Sequence, residues 1–144
     1  MSVPWGLVVI VSSMPAWGGQ TLSWLAPDLA VRLGLTESAD DVDHTFFIDV
    51  RAEAAWDSFV LWTMPLAGVL LVADHEWWRY LGLVGGGAYL YFAGRGIFVR
   101  VAMRRQGVAI GRPNVVRTAI AVLAIWGVVA IVTIVAAIMS LEAT

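Results

Sequence analysis

The chain has 144 residues, 60% of them hydrophobic, with a formal net charge of −2 and a mean hydropathy of +0.79. Soluble domains average about 45–50% apolar residues, so this composition indicates that a bilayer surrounds the protein. Cysteine is absent, which excludes disulfides, thiolate metal sites and a cysteine nucleophile. All nine basic residues are arginine, a usage that suggests a bacterial protein from a GC-rich genome.

Membrane spans are predicted from length and apolar content, because a hydrocarbon core of about 30 Å requires about 20 apolar residues per helix. Four segments qualify: residues 3–25, 56–73, 78–99 and 118–141. We therefore predict an all-α polytopic membrane protein with four transmembrane helices and one integral membrane domain over residues 1–144. No Lys or Arg precedes Arg32, so the first segment is predicted to be a membrane helix and not a secretory signal peptide.

The first segment contains Pro15, which removes a backbone hydrogen bond and predicts a kink. Carbonyl groups freed by the kink need partners inside the protein, which Ser12, Ser13 or a neighbouring helix could supply. Gln20 places a polar amide in or close to the hydrocarbon core of the membrane. We interpret the segment as a kinked packing helix; the alternative is a discontinuous helix that holds a substrate or an ion, as in transporters.

The loop of residues 26–55 has three predicted parts. Residues 28–35 have an apolar and a charged side and predict a short helix that lies on the membrane interface. Residues 36–43 contain four acids and no basic residue, so they are predicted to form a solvated loop. A new helix then begins, capped by Asp43 or Thr45, and continues unbroken into the second span.

The second and third spans are joined by a short polar turn, which predicts a central antiparallel helical hairpin with both limbs extended into the cytoplasm. With Glu76 as the tip, three acids on one limb lie opposite three arginines on the other. The acids recur every fourth residue and so share one helical face. The predicted ion pairs are Asp57 with Arg95, Glu53 with Arg100, and Asp49 with Arg104.

This acidic stripe admits three interpretations. The first is a structural ladder of ion pairs that fixes the register of the hairpin. The second is a cation or proton site at the deepest pair, Asp57 and Arg95, because ionisable groups inside a membrane are a functional hypothesis by default. The third is a metal site, which would need His44 or Asp41 nearby. We favour the ladder and predict no metal site.

The arginines predict the orientation, because cytoplasmic loops carry an excess of Lys and Arg. Seven of the nine lie in the loops at 26–55 and 100–117, whereas the turn between spans two and three has only Arg79. Both loops are therefore predicted to be cytoplasmic and both termini outside, in a bacterial inner membrane. Because the arginines lie beside a bilayer and opposite acids, we predict contact with membrane lipids and no nucleic-acid binding.

Small residues are predicted to let helix backbones approach one another closely. The predicted packing positions are Gly82 and Gly86 in the third span and Gly127 and Ala130 in the fourth. So many small residues suggest contacts with a further chain as well as contacts within this one.

A candidate cofactor ligand is His75, which lies in the turn next to Trp77 and Trp78 and could bind a pigment or haem. The alternative is that this histidine is simply solvated. The eight tryptophans predict an aromatic belt at the interfaces. The deeper tryptophans could line a pocket for a flat cofactor or lipid, or merely fill volume; they are Trp17, Trp62 and Trp126.

The sequence contains neither GxSxG nor HExxH, so we predict no catalytic residues. The predicted function is that of a non-catalytic accessory subunit of a larger membrane complex, such as a photosynthetic or respiratory one. Its partners would be other membrane subunits or copies of itself. The alternative is a small homo-oligomeric transporter or channel with a polar site at Asp57 and Arg95. A single water-filled cavity would favour this alternative if it were lined by Gln20, Asp57, Thr63 and Arg95.

Overall fold

The computed structural model describes residues 2–143, and within them all regular structure is helical. The helices are α1 (Ser2–Leu25), α2 (Pro27–Arg32), α3 (His44–Val60), α4 (Thr63–Val72), α5 (Trp78–Arg105) and α6 (Pro113–Glu142). The prediction of an all-α protein is confirmed.

Two stretches of helix are long and apolar enough to cross a membrane: His44–Val72, which combines α3 and α4, and Pro113–Glu142, which is α6. The helices α1 and α5 are also long, but their tryptophan, tyrosine, glycine and serine residues lower their mean hydropathy. Membrane association is therefore supported by two helices, whereas the four spans and the central hairpin stay predictions.

The helix expected to run unbroken through α3 into the second span is interrupted after Val60, so that prediction was wrong. Pro65 explains the break, because it has no N–H for the carbonyl of Leu61 and its ring clashes with that carbonyl. The last four carbonyls of a helix have no partner within it, but all four in α3 are hydrogen-bonded. Their donors are Leu61 N–H to Asp57 (2.9 Å), Trp17 Nε1 to Ser58 (3.1 Å), Trp62 Nε1 to Phe59 (2.9 Å) and the Thr63 hydroxyl to Val60 (2.7 Å).

The main core lies where α1, α4, α5 and α6 meet, together with the turn between α3 and α4. Its buried side chains are Val9, Ala16, Leu61, Met64, Tyr89, Phe92, Leu123 and Ala130. The helix α5 packs between α4 and α6, while α4 also packs against α1, and α3 packs mainly against α1. The acidic helix α3 therefore has only a narrow contact with α5.

A second, smaller core joins the two long loops. Phe46 on α3, Ile110 in the second loop and Val116 on α6 are buried against one another. The backbone N–H of Asp43 donates to the carbonyl of Ala109 at 2.7 Å. The loop at 36–43 is thus not free in solvent throughout, although its acidic side chains at 40, 41 and 43 are exposed. The predicted cap is confirmed, because Asp43 accepts from the N–H of Thr45 at 2.8 Å.

The four predicted packing positions all lie between α5 and α6 of this one chain. A Cβ on Gly86 would lie 2.6 Å from Ile134, and one on Gly82 would lie 3.5 Å from Thr133. A Cβ on Gly127 would lie 3.5 Å from Ala93, and Ala130 is fully buried. The α4–α5 and α1–α4 contacts depend on glycines that the sequence analysis did not single out, namely Gly85, Gly6 and Gly68.

Gly85→Ala is expected to lower the free energy of unfolding by about 1–3 kcal/mol, the usual cost of overpacking. The added Cβ would lie 2.7 Å from the backbone nitrogen of Met64, which a rotamer change cannot relieve. Gly87→Ala is the matched control, because nothing lies within 4 Å of its Cβ position. The control should be neutral or stabilising by up to about 1 kcal/mol. Equilibrium unfolding in mixed detergent micelles measures both, and equal effects would contradict the close α4–α5 contact.

Candidate functional site

The candidate site is a cluster of charged side chains between α3 and α5. Asp49, Glu53 and Asp57 lie on successive turns of α3, as their spacing predicts. The guanidinium of Arg95, on α5, reaches two of them: Nη2 lies 2.5 Å from Oδ1 of Asp49, and Nη1 lies 2.8 Å from Oε1 of Glu53. One arginine therefore joins two carboxylates that are one helical turn apart.

These pairs differ from the predicted ladder, in which Arg95 was assigned to Asp57. The helix α4 ends at Val72 and α5 begins at Trp78, so the centre of the connection is His75 and not Glu76. The break after Val60 also changes the position of α3 relative to α5, because the predicted register assumed that α3 and α4 form one continuous helix. Both changes bring Arg95 towards the N-terminal half of α3.

The other two arginines of the predicted ladder also lie elsewhere. Arg100 donates to the carbonyl of Gly96 at 3.1 Å and stacks on the ring of Phe46, with its Cζ 5.5 Å from the ring centre. Arg104 is exposed and forms no ion pair with the described residues. The ladder of three pairs is thus replaced by one arginine that holds two acids.

Asp57 is the most buried member of the cluster, with 5% of its surface exposed. Its Oδ2 is buried and has no hydrogen-bond partner among residues 2–143, and the same holds for Oδ2 of Asp49. No three acids, histidines or cysteines in this part of the chain are arranged as metal ligands. The geometry of Arg95, Asp49 and Glu53 favours an ion-paired attachment of α3 to α5.

A second polar constellation surrounds Pro15 in the middle of α1. The hydroxyl of Tyr89 on α5 donates to the carbonyl of Ser13 at 2.8 Å, and Nε1 of Trp126 on α6 donates to the carbonyl of Ser12 at 2.7 Å. The hydroxyl of Ser13 donates to the carbonyl of Val9 at 2.6 Å. These three bonds lie in the turns before Pro15, and two of them join α1 to α5 and α6.

The deep tryptophans act as hydrogen-bond donors between helices. Trp126 bonds α6 to α1, and Trp17 bonds α1 to the end of α3. Trp62, also predicted to be deep, is 42% exposed and bonds within its own turn. Sequence analysis could not identify these roles, because a tryptophan that fills volume and one that donates look the same in sequence.

The remaining predicted positions are separate from the charged cluster. Thr63 is hydrogen-bonded within the turn after α3, and Gln20 lies half-buried on α1. His75 is exposed, and its Nδ1 accepts from the N–H of Trp77 at 3.3 Å. A groove of about 340 Å³ opens at another place, between α2 and α3.

Comparison with protein-family models, with curated proteins and with solved structures finds no match to this chain.

Arg95→Gln is expected to lower the free energy of unfolding by about 2 kcal/mol or more, because it leaves two partly buried carboxylates without a counter-ion. Arg104→Gln is the control and should change stability by less than about 0.5 kcal/mol, since Arg104 is exposed. Asp49→Asn combined with Glu53→Gln should restore much of the loss in the Arg95→Gln background. If Asp57→Asn restored as much, the observed pairing would be refuted. Thermal unfolding in detergent provides the comparison.

Tyr89→Phe is expected to lower stability by about 1–3 kcal/mol, because it leaves the buried carbonyl of Ser13 without this donor. Tyr91→Phe is the control on the same helix, since Tyr91 is 67% exposed. Tryptophan fluorescence during denaturant unfolding measures both variants. An equal loss in the two would remove the assigned role of the Tyr89 hydroxyl.

Proposed function

We propose that the protein crosses the inner membrane of a bacterium four times and is a non-catalytic accessory subunit of a larger membrane complex. The spans are α1, α3 with α4, α5 and α6, so that α4 and α5 form the centre of an antiparallel hairpin. The arginine-rich loops face the cytoplasm and both termini face outside. Membrane lipids and a second membrane protein are its partners.

The outward surface of α6 supports the membrane location. This helix has 30 residues and so is about 45 Å long, enough to cross the hydrocarbon core of about 30 Å. Exposed apolar side chains cover a broad part of its circumference. They are Ile125, Val128, Ile131, Val132, Val135, Ile138 and Met139. A surface of this width without charge fits lipid chains.

The outward surface of α5 is different, and it carries the proposal of a protein partner. We call it the α5 seam, and it consists of Tyr80, Val84, Gly87, Tyr91, Gly94 and Phe98. The residues recur every three or four positions, so they lie along one face of the helix. The four large side chains of the seam are between 53% and 76% exposed.

The two glycines make two hollows in the surface of the α5 seam, which contact with lipid does not require. Gly87 and Gly94 are two helical turns apart, or about 10 Å along the axis. Nothing lies within 4 Å of a Cβ built on either glycine, so both hollows are empty within this chain. Tyr91 lies between them and Phe98 beyond them. The glycine hollows could receive side chains of an apolar helix from another membrane protein, and the large rings would pack beside that helix.

The alternative function is a homo-oligomeric transporter or channel, and one observation favours it. Asp57 has a buried carboxylate oxygen without a hydrogen-bond partner in the described chain, and such a group inside a membrane often binds an ion. The proposal of an accessory subunit is preferred, because Arg95 is held by two carboxylates and Thr63 is bonded in its own turn.

Site-specific crosslinking tests the proposed partner, and the absence of natural cysteines makes single labels selective. The variant Gly94→Cys is labelled with a benzophenone maleimide in native membranes. This position is chosen because nothing in the chain lies within 4 Å of a Cβ built on Gly94. Val128→Cys on the broad face of α6 is the matched control, since Val128 is 61% exposed. We expect an adduct with a different membrane protein from Gly94→Cys and mainly lipid products from Val128→Cys.

The crosslinked masses separate the hypotheses. An adduct of twice the chain mass would replace the accessory role by the homo-oligomeric alternative. Lipid products alone from both positions would refute a protein partner at the α5 seam. An absorption spectrum of the crosslinked complex tests the narrower hypothesis that this complex is photosynthetic or respiratory.

A further inference from the structure

A groove of about 340 Å³ opens between α2, the following loop and the first half of α3. This volume lies within the range of about 300–1,000 Å³ that is typical of small-molecule sites. Its apolar wall includes Val31, Ala39 and Phe47, and its charged side chains are Asp28, Arg32 and Arg51. The groove thus combines apolar surface with two guanidinium groups, and it is separate from the cluster around Arg95.

Arg51 is held in place at this groove. Its Nη1 donates to the carbonyl of Ser23 at 3.0 Å, near the end of α1. Its guanidinium also stacks on Phe47, with Cζ 5.2 Å from the ring centre. Because a guanidinium has five N–H donors, this arrangement leaves donors for a ligand while it fixes the plane of the group.

Arg32 lies at the C-terminal end of α2 and is exposed. Asp28 is one helical turn earlier, yet the two form no ion pair within residues 2–143. The charges on the groove are therefore two positive and one negative, a net charge of +1. That balance suits a ligand with a single negative charge.

Exposed leucines lie on the opposite side of α2 from the residues that line the groove. Leu25, Leu29 and Leu33 recur every fourth residue from the end of α1 through α2, and they are 67%, 46% and 59% exposed. Under the proposed topology these leucines lie at the cytoplasmic interface, where anionic lipids are enriched.

We propose that the groove binds the phosphodiester head group of a membrane phospholipid, with Arg32 and Arg51 on the phosphate oxygens. Arginine is suited to this contact because its planar fork matches two phosphate oxygens. The inference rests on the proposed membrane location and adds a specific lipid site to it. The single charge of a phosphodiester matches the net charge of the groove.

Native mass spectrometry of the purified full chain tests the site, with phosphatidylglycerol added to the detergent. We expect one retained lipid per chain in the unmodified protein. Arg32→Gln should weaken its retention about tenfold or more, the usual effect of losing one charge-assisted hydrogen bond. Arg104→Gln is the control, because Arg104 is equally exposed and lies outside the groove.

A second variant and a competitor make the test decisive. Arg51→Lys keeps the charge but removes the planar fork, so it should also weaken retention. Loss of lipid in Arg104→Gln equal to that in Arg32→Gln would overturn the site, as would the absence of any retained lipid. Displacement of the lipid by equimolar inorganic phosphate would show a free-phosphate site instead. Extraction of the chain from membranes by alkaline carbonate would refute the membrane location itself, and it is measured separately.

Discussion

The structure depends on one constraint: buried backbone carbonyls near two prolines need hydrogen-bond donors from elsewhere in the chain. Pro65 ends α3, and the four last carbonyls of that helix are all bonded, one of them by Trp17 of α1. Pro15 lies inside α1, and the turn before it receives donors from Tyr89 and Trp126. Trp17, Tyr89 and Trp126 belong to different helices from the carbonyls to which they donate. Their hydrogen bonds therefore also fix α1 relative to α3, α5 and α6.

The charged cluster completes this arrangement at the other end of α3. The C-terminal end of α3 is attached to α1 by the indole of Trp17, whereas its N-terminal half is attached to α5 by the guanidinium of Arg95. An arginine that bonds acids on successive turns restricts sliding of one helix along the other. The contact between α3 and α5 is otherwise narrow, so this group determines their register. Arg95 pairs with Asp49 and Glu53 and not with Asp57, and the buried Oδ2 of Asp57 has no hydrogen-bond partner among residues 2–143.

Sequence analysis predicted the helical class, the acidic face of α3, the involvement of Arg95 and the need for donors near Pro15. It did not predict which acids Arg95 binds, because that depends on the length of a turn and on a helix break. A shift of the turn centre by one residue, together with the break after Val60, is enough to exchange partners. It also missed Gly85, whose importance comes from the backbone of Met64 across the interface. Periodicity identifies the face of a helix, whereas the atoms opposite that face are set by tertiary structure.

The distribution of glycine on α5 connects the fold to the proposed partner. Glycine in a helix costs about 1 kcal/mol relative to alanine, and close packing offsets that cost at Gly85 and Gly86. Gly87 and Gly94 have no such contact, so two glycines on α5 cost about 2 kcal/mol with no packing gain inside the chain. The broad exposed surface of α6 is built from Ile, Val and Met and contains no such hollows. A helix from another protein would fill them and supply the packing energy that this chain lacks.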